Sequence, residues 1–575
     1  MTRPFAVALS GLLLLASPAP ESPLDFRVQG AATNLRAPAG RRSLILAGGE
    51  SRPGRGHLLA LPIPETAAEP VEIDLSRRRW DSAAAVEAAG PGALAAGAAG
   101  RRTAAGQLFY VGRHLVGAAR APSILGDIVA DPLVLAPPGR LAALRQDEHG
   151  YVAFARELAA RRPIVAVAAG DGLVHGFDES SGAEAFAFAP EGARGPLTGA
   201  LAYDDVWLDG RWRTLLAGTS APGRGIYVLD VTRPDGVAPP RGDTAPECLG
   251  GTAPGCSGPY PRLLWQRAEE VSTAAPAFAR LRLPGGEHSA LLFGSGGALQ
   301  VVEAATGKPV ARLAEGTQPN GARRRFGAIT GGVSVVDLDG DGFSDSAYFG
   351  DSEGQLWKLP LAGGPPYPPQ LLFAPPAATP ERTVSRAPSV QELGADPRLG
   401  TPILGISWVE GSAGRGRVRF LLEGTSAGPV PFRIESPSAP RLGTCGGDGP
   451  PRLEGWQAEL APGDRALGRP LAIAGYVFLS TLDAARGAAH LYRLFSLNGD
   501  PCRGADCCGE GGRWSADRAA ALQPAGWRAV SATGLVLYLD GRGEARAGVA
   551  ATLRGGAPEN GRTVFWSVSA GRRER

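Results

Sequence analysis

Lysine is nearly absent from this 575-residue chain, which holds only Lys308 and Lys358 beside its many arginines. The formal net charge is only +3, and no basic run alternates with aromatic residues. That balance argues against a nucleic-acid partner. Helical periodicity is also scarce; the alanines from Asp81 to Gly97 offer one short helix at most. Beyond the N-terminal run no segment is long and apolar enough for a membrane helix, so no integral membrane segment is expected. No cysteine follows that run, which argues against lipoprotein anchoring.

What is abundant is glycine, 82 residues, and proline, 51, in a chain that is 44% hydrophobic. The apolar content excludes disorder, and the turn formers favour an all-β protein of many short strands. Arg3 followed by the apolar run Phe5 to Ala16 has the form of a signal peptide, with small residues at Ala16, Ser17 and Ala19 for cleavage. The mature chain is therefore expected outside the cytoplasm, in the periplasm or at the outer surface. Cys248, Cys256, Cys445, Cys502, Cys507 and Cys508 then suggest disulfides, Cys248 with Cys256 locally and Cys445 with the late cluster. Zinc is the weaker reading, because no histidine stands near these thiols.

A β-unit recurs along the chain: an apolar strand, a Gly/Asp turn, a second strand, then an acidic residue and a Ser/Thr-Gly turn. Ile164 to Phe188, Ala290 to Leu313 and Ser346 to Leu361 are its clearest copies. Looser ones begin at Leu44, Leu215, Gly475 and Gly534. A lone sheet of this kind cannot bury both faces, so the copies must stack radially. The expectation is an all-β β-propeller of about seven blades, with long Gly/Pro-rich loops. A series of sandwiches is the alternative.

The sharpest chemical signal is the segment DLDGDGFSD, Asp337 to Asp345. Asp337, Asp339, Asp341 and Asp345 crowd four carboxylates into one turn, and the carbonyl of Phe343 can add a further oxygen. Hard cations such as Ca²⁺ take about six to eight oxygens at roughly 2.3–2.6 Å. Without a cation these charges repel one another. The segment is not an EF-hand, since Tyr348 occupies the twelfth position and both flanks read as strands. It looks instead like the shorter calcium loops inserted between propeller strands.

Five blocks in series resemble the propeller of PilC/PilY-type pilus biogenesis proteins: Leu125 to Pro132, Val167 to Pro190, Trp212 to Pro234, Val335 to Leu361 and Gly455 to Thr481. The resemblance implies a Ca²⁺-dependent role in type IV pilus assembly, opposition to retraction and surface adhesion. It implies minor pilins and the pilus tip complex as partners, together with host or abiotic surfaces, and the pilus tip as a location. It also carries the metal ligands onto Asp337, Asp339, Asp341, Phe343 and Asp345. On this reading residues 1–19 are the signal peptide, 20–150 an irregular segment with the first blade, and 151–575 the propeller. Longer family members carry a von Willebrand A-like domain; this sequence shows no DxSxS motif or room for one.

Several other features are open to a functional reading. Arg241-Gly242-Asp243 has the form of an integrin ligand, though such a tripeptide arises easily in an Arg- and Gly-rich chain. His175 lacks a nameable catalytic partner and reads as structural, Trp212 and Trp357 read as packing between blades, and Asp351 as a turn residue. The Cys507-Cys508 pair suggests an alternative, a periplasmic quinoprotein dehydrogenase using pyrroloquinoline quinone, but paired tryptophan docking repeats are not evident. An integrin-like calcium module is a second alternative and predicts several DxDxDG loops, where one is found. The expectation is accordingly of a protein that is not an enzyme.

Overall fold

The computed structural model describes residues 27–34, 43–50, 54–62, 71–73, 78–89, 108–111, 114–115, 125–138, 148–190, 196–220, 225–233, 262–283, 286–338, 341–375, 383–384, 386–395, 402–412, 415–423, 455–460, 464–466, 469–473, 476–483, 488–495, 530–532, 535–539 and 545–549. The N-terminal apolar run, all six cysteines and Arg241-Gly242-Asp243 lie outside these residues.

The described strands form eight sheets that are almost entirely antiparallel. Seven of them carry the repeats legible in the sequence. The sheet those repeats omit, sixth in chain order, is built on the hairpin Pro402–Ser412 and Arg415–Glu423. The eighth sheet joins Val530–Ala532, Leu535–Leu539 and Ala545–Val549 to the early strand Val71–Ile73, so an early and a late part of the chain share one sheet. Strand Leu133–Leu135 likewise pairs with Ile164–Ala168 in the second sheet. The helix expected near Asp81 forms over Ser82–Ala89.

The packing is that of a β-propeller. Among the described residues the large apolar clusters each lie between one sheet and the next. Strand Ile164–Ala168 shows why. Its side chains alternate, so Val165 and Val167 face Ile45, Ala47 and Leu58 of the first sheet. Ile164, Ala166 and Ala168 face Leu201, Leu216 and Leu229 of the third. In the fourth sheet Leu291 and Phe293 pack back on the third, while Ala290 and Leu292 pack forward on the fifth. Each fully buried Leu, Val or Phe contributes about 1.5–3 kcal/mol, and only the adjoining sheet makes that burial complete.

Polar contacts repeat at the same boundaries. Trp80 of the first sheet donates its indole N–H to the carbonyl of Glu179, at 2.7 Å, in a turn of the second. Trp265 of the third sheet donates likewise to Ala304 of the fourth, at 2.8 Å. Both rings lie against the glycine of a Ser/Thr-Gly turn. Gly182 has φ 71° and Gly307 φ 70°, and a Cβ at either would meet the ring at 2.7 or 2.8 Å. Tryptophan docking, not evident in the sequence, is thus present at two boundaries. It was hidden because ring and turn are 99 residues apart in one case and 39 in the other.

Trp357 is fully buried between the fourth and fifth sheets, as expected. Trp212 packs against Tyr151 and Phe154 of the helix Tyr151–Glu157, and its ring also lies 5.5 Å from the Arg280 guanidinium of the fourth sheet, so it too meets the neighbouring blade.

Candidate metal loop

The loop from Asp337 to Asp345 joins two strands of the fifth sheet, Val333–Val336 and Ser346–Gly350. These strands pair antiparallel with Val336 opposite Ser346. Their continuous burial explains the apolar flanks read from the sequence. Tyr348 lies within the second strand, its hydroxyl donating to Glu423 Oε2 at 2.8 Å, so the twelfth position is not a metal ligand.

The base of the loop is held by backbone. Asp345 N–H donates to Val336 O at 2.8 Å, and the Asp345 carbonyl accepts Leu361 N–H at 2.8 Å. Two carboxylates then turn inward. Asp345 Oδ2 accepts the N–H of Leu338 at 2.6 Å, and Asp337 Oδ2 accepts that of Gly342 at 2.6 Å. Asp341 Oδ1 accepts the N–H of Phe343 at 2.8 Å. Gly342 has φ 76°, a conformation that strains any side-chain-bearing residue. Asp339 and Gly340 lie outside the described residues.

The neighbouring sheet supplies what the sequence reading missed. On strand Ala277–Leu283, Arg280 and Arg282 point to one side, two positions apart. The backbone of Arg280 clasps the loop twice, its carbonyl accepting Ser344 N–H at 2.8 Å and its N–H donating to Ser344 Oγ at 3.1 Å. The Phe343 ring lies under both guanidinium groups, at 4.6 Å from Arg280 and 4.1 Å from Arg282. Arg282 Nη2 reaches Asp341 Oδ2 at 2.7 Å. A pair of arginines at alternate strand positions is the only sequence signal for this contact, and nothing in it points to a loop some sixty residues onward.

The residue types present are those that a hard cation takes. The donor set is all oxygen, and a positive group, the Arg282 guanidinium, already sits against Asp341. Among the described residues no group of three or more His, Cys, Asp or Glu converges as a metal cage.

The other acidic sites resolve as structure. His175, fully buried, stands 2.6 Å from Glu184 Oε1 and 3.0 Å from Asp171 Oδ2. Burial opposes its charge, but the Asp171 charge and the hydrogen bonds of both acids prevail and raise its pKa to about 9. It is a satisfied structural histidine. Asp351 accepts the N–H groups of Gly327, Glu353 and Gln355, each at 3.0 Å, and the Trp357 indole at 3.1 Å. It is a turn residue.

No family model matches the chain. Its sequence is 28% identical over 292 residues to "Type IV pilus biogenesis factor PilY1" of Pseudomonas aeruginosa strain UCBPP-PA14, covering 44% of this chain and 22% of that protein. It is 39% identical over 137 residues to a PilY1 homolog of Xylella fastidiosa, covering 20% of this chain and 11% of the homolog. The structure matches the crystal structure of the P. aeruginosa PilY1 C-terminal domain with a TM-score of 0.50 at 20% identity. That match covers 72% of this chain and 99% of the domain. Over these stretches the chain is similar to PilY1-type proteins. The part it shares with the full-length P. aeruginosa relative is about a fifth of that relative's length. The described sheets thus share the fold of the PilY1 C-terminal domain, and the Asp337–Asp345 loop joins two strands of the fifth. Among the described residues no helix is long and apolar enough to cross a membrane.

Proposed function

We propose that this PilY1-type chain is an exported, calcium-binding propeller that serves type IV pilus biogenesis and catalyses no reaction. Asp337, Asp339, Asp341 and Asp345 would hold the ion through their carboxylates and Phe343 through its carbonyl. Bound Ca²⁺ supplies charge that offsets the mutual repulsion of the loop. The chain's own contribution is to hold the ligands in place, through the backbone clasp of Arg280 on Ser344 and the strand pairing at Asp345.

The observation that supports this reading most is the position of the acidic loop. It is wedged between two sheets of a propeller whose relatives are named as pilus biogenesis factors. A loop there can tie calcium occupancy to the rigidity of the propeller. On this reading the calcium-bound form favours pilin assembly with minor pilins at the tip, opposes retraction, and presents surfaces for adhesion.

Titration calorimetry of the purified mature chain with Ca²⁺ tests the metal site, beside an Asp339→Ala, Asp345→Ala variant. One saturable site lost in the variant supports the reading. Pilus extension and retraction in cells carrying the same variant then test the role; normal retraction control would remove calcium from it.

A further inference from the structure

We propose that Arg282 is a built-in competitor for the metal at Asp341, so that Ca²⁺ enters the loop by displacing a cation the protein already holds there. The inference rests on the calcium reading above and concerns what sets the affinity of that site.

Both oxygens of the Asp341 carboxylate are engaged. Oδ1 accepts the Phe343 N–H at 2.8 Å, and Oδ2 meets Arg282 Nη2 at 2.7 Å. A metal bound by Asp341 must share or displace one of these contacts, since each carboxylate oxygen keeps a second lone pair. The Phe343 N–H bond belongs to the turn that presents the Phe343 carbonyl, and breaking it would disturb a second ligand. The Arg282 contact comes from outside the loop and can be given up without unfolding the turn. The Arg282 side chain is 65% exposed, so the released guanidinium returns to water at little cost. Its charge also repels an incoming divalent ion for as long as it stays.

Arg282 is nevertheless placed with some care. Its guanidinium lies over the Phe343 ring at 4.1 Å, as that of Arg280 does at 4.6 Å. Arg280 has separate anchors in the Ser344 backbone clasp and in Glu287 Oε2 at 2.6 Å. The two arginines therefore divide the work. Arg280 holds the loop on the fourth sheet in either state, and Arg282 is the group that exchanges.

The test is calcium calorimetry on the full chain at fixed ionic strength, comparing wild type with Arg282→Gln, Arg282→Lys and Arg312→Gln. Arg312 is exposed on the last strand of the same sheet, so its variant controls for net charge. The expected result is binding roughly two- to five-fold tighter in Arg282→Gln, the scale of one exposed ion pair. Arg282→Lys, which keeps the charge, should stay within about two-fold of wild type, and Arg312→Gln should match it. Unchanged or weaker binding in Arg282→Gln would overturn the proposal. An equal gain in Arg312→Gln, or a full gain in Arg282→Lys, would overturn it too. Wild-type protein that binds no calcium would instead overturn the calcium reading itself.

Discussion

The indole of Trp80 reaches across a sheet boundary to the carbonyl of Glu179, and the glycine that lets it lie flat there is Gly182. The two sheets meet along a seam that neither could form alone. Substituting Gly182→Ala forces a side chain into a left-handed conformation and places its Cβ 2.7 Å from the ring. The expected loss is about 1–3 kcal/mol, read from urea unfolding. Gly210, with φ 74° but nothing near its Cβ position, should lose less when replaced by alanine. Equal losses at the two positions would show that the ring contact contributes nothing.

A second seam is ionic. Glu410 and Arg419, both fully buried, form an ion pair in the sixth sheet. The Trp408 indole also donates to Glu410 at 3.1 Å, and Arg419 donates to Gln457 Oε1 at 2.7 Å. Arg419 lies 4.4 Å from the Phe373 ring of the fifth sheet. Burial raises the Glu410 pKa, although Arg419 pulls it the other way. Glu410→Ala leaves a buried guanidinium without its counter-charge, and a loss of about 3–5 kcal/mol is expected. Replacing both members by apolar residues, Glu410→Leu with Arg419→Met, should recover most of it. Equilibrium denaturation of the single and double variants measures both, and a double variant no better than the single would refute the account.

These boundaries mark where the sequence was legible and where it was not. Local chemistry could be read directly: the Gly/Asp turns, the alternating Val165 and Val167, and the acidic loop between apolar flanks all act within a few residues. The sixth sheet, on strands Pro402–Ser412 and Arg415–Glu423, is not among the copies read from the sequence, although its hairpin carries a similar Gly turn. The docked tryptophans and Arg282 were invisible for a physical reason. Their partners lie on the next sheet, and no spacing along the chain encodes a contact between blades. The loop could be recognised as acidic, but not that a neighbouring strand supplies it with a cation.

Calcium should be felt as stability. An ion that binds only the folded chain stabilises it by about 2.7 kcal/mol at a hundred times its dissociation constant. Thermal unfolding of the wild type should therefore shift upward on adding Ca²⁺ and fall back with chelator. Asp337→Asn keeps an oxygen for the Gly342 N–H but removes one charge from the ligand set. Its melting point in chelator should lie close to that of the wild type, while most of the calcium-dependent rise disappears. A rise of wild-type size in Asp337→Asn would place the ion elsewhere.

His175 should give the second sheet a pH-dependent contact in the opposite direction to that of a paired carboxylate. Buried between Asp171 and Glu184, it holds its proton up to about pH 9 in the folded chain, against an ordinary value of 6.5 when unfolded. A raised folded pKa means that the unfolded state gives up its proton first as pH rises. The stabilisation is therefore complete below about pH 6.5, declines through the interval, and is gone above about pH 9. Its full size is on the order of 3 kcal/mol. His175→Gln can keep one hydrogen bond but has no proton to lose. The difference in unfolding free energy between wild type and His175→Gln should then be largest at pH 6 and shrink steadily towards pH 9.5. A difference that stays constant over that range would mean the imidazole is neutral in the folded chain and that packing alone holds it between the two acids.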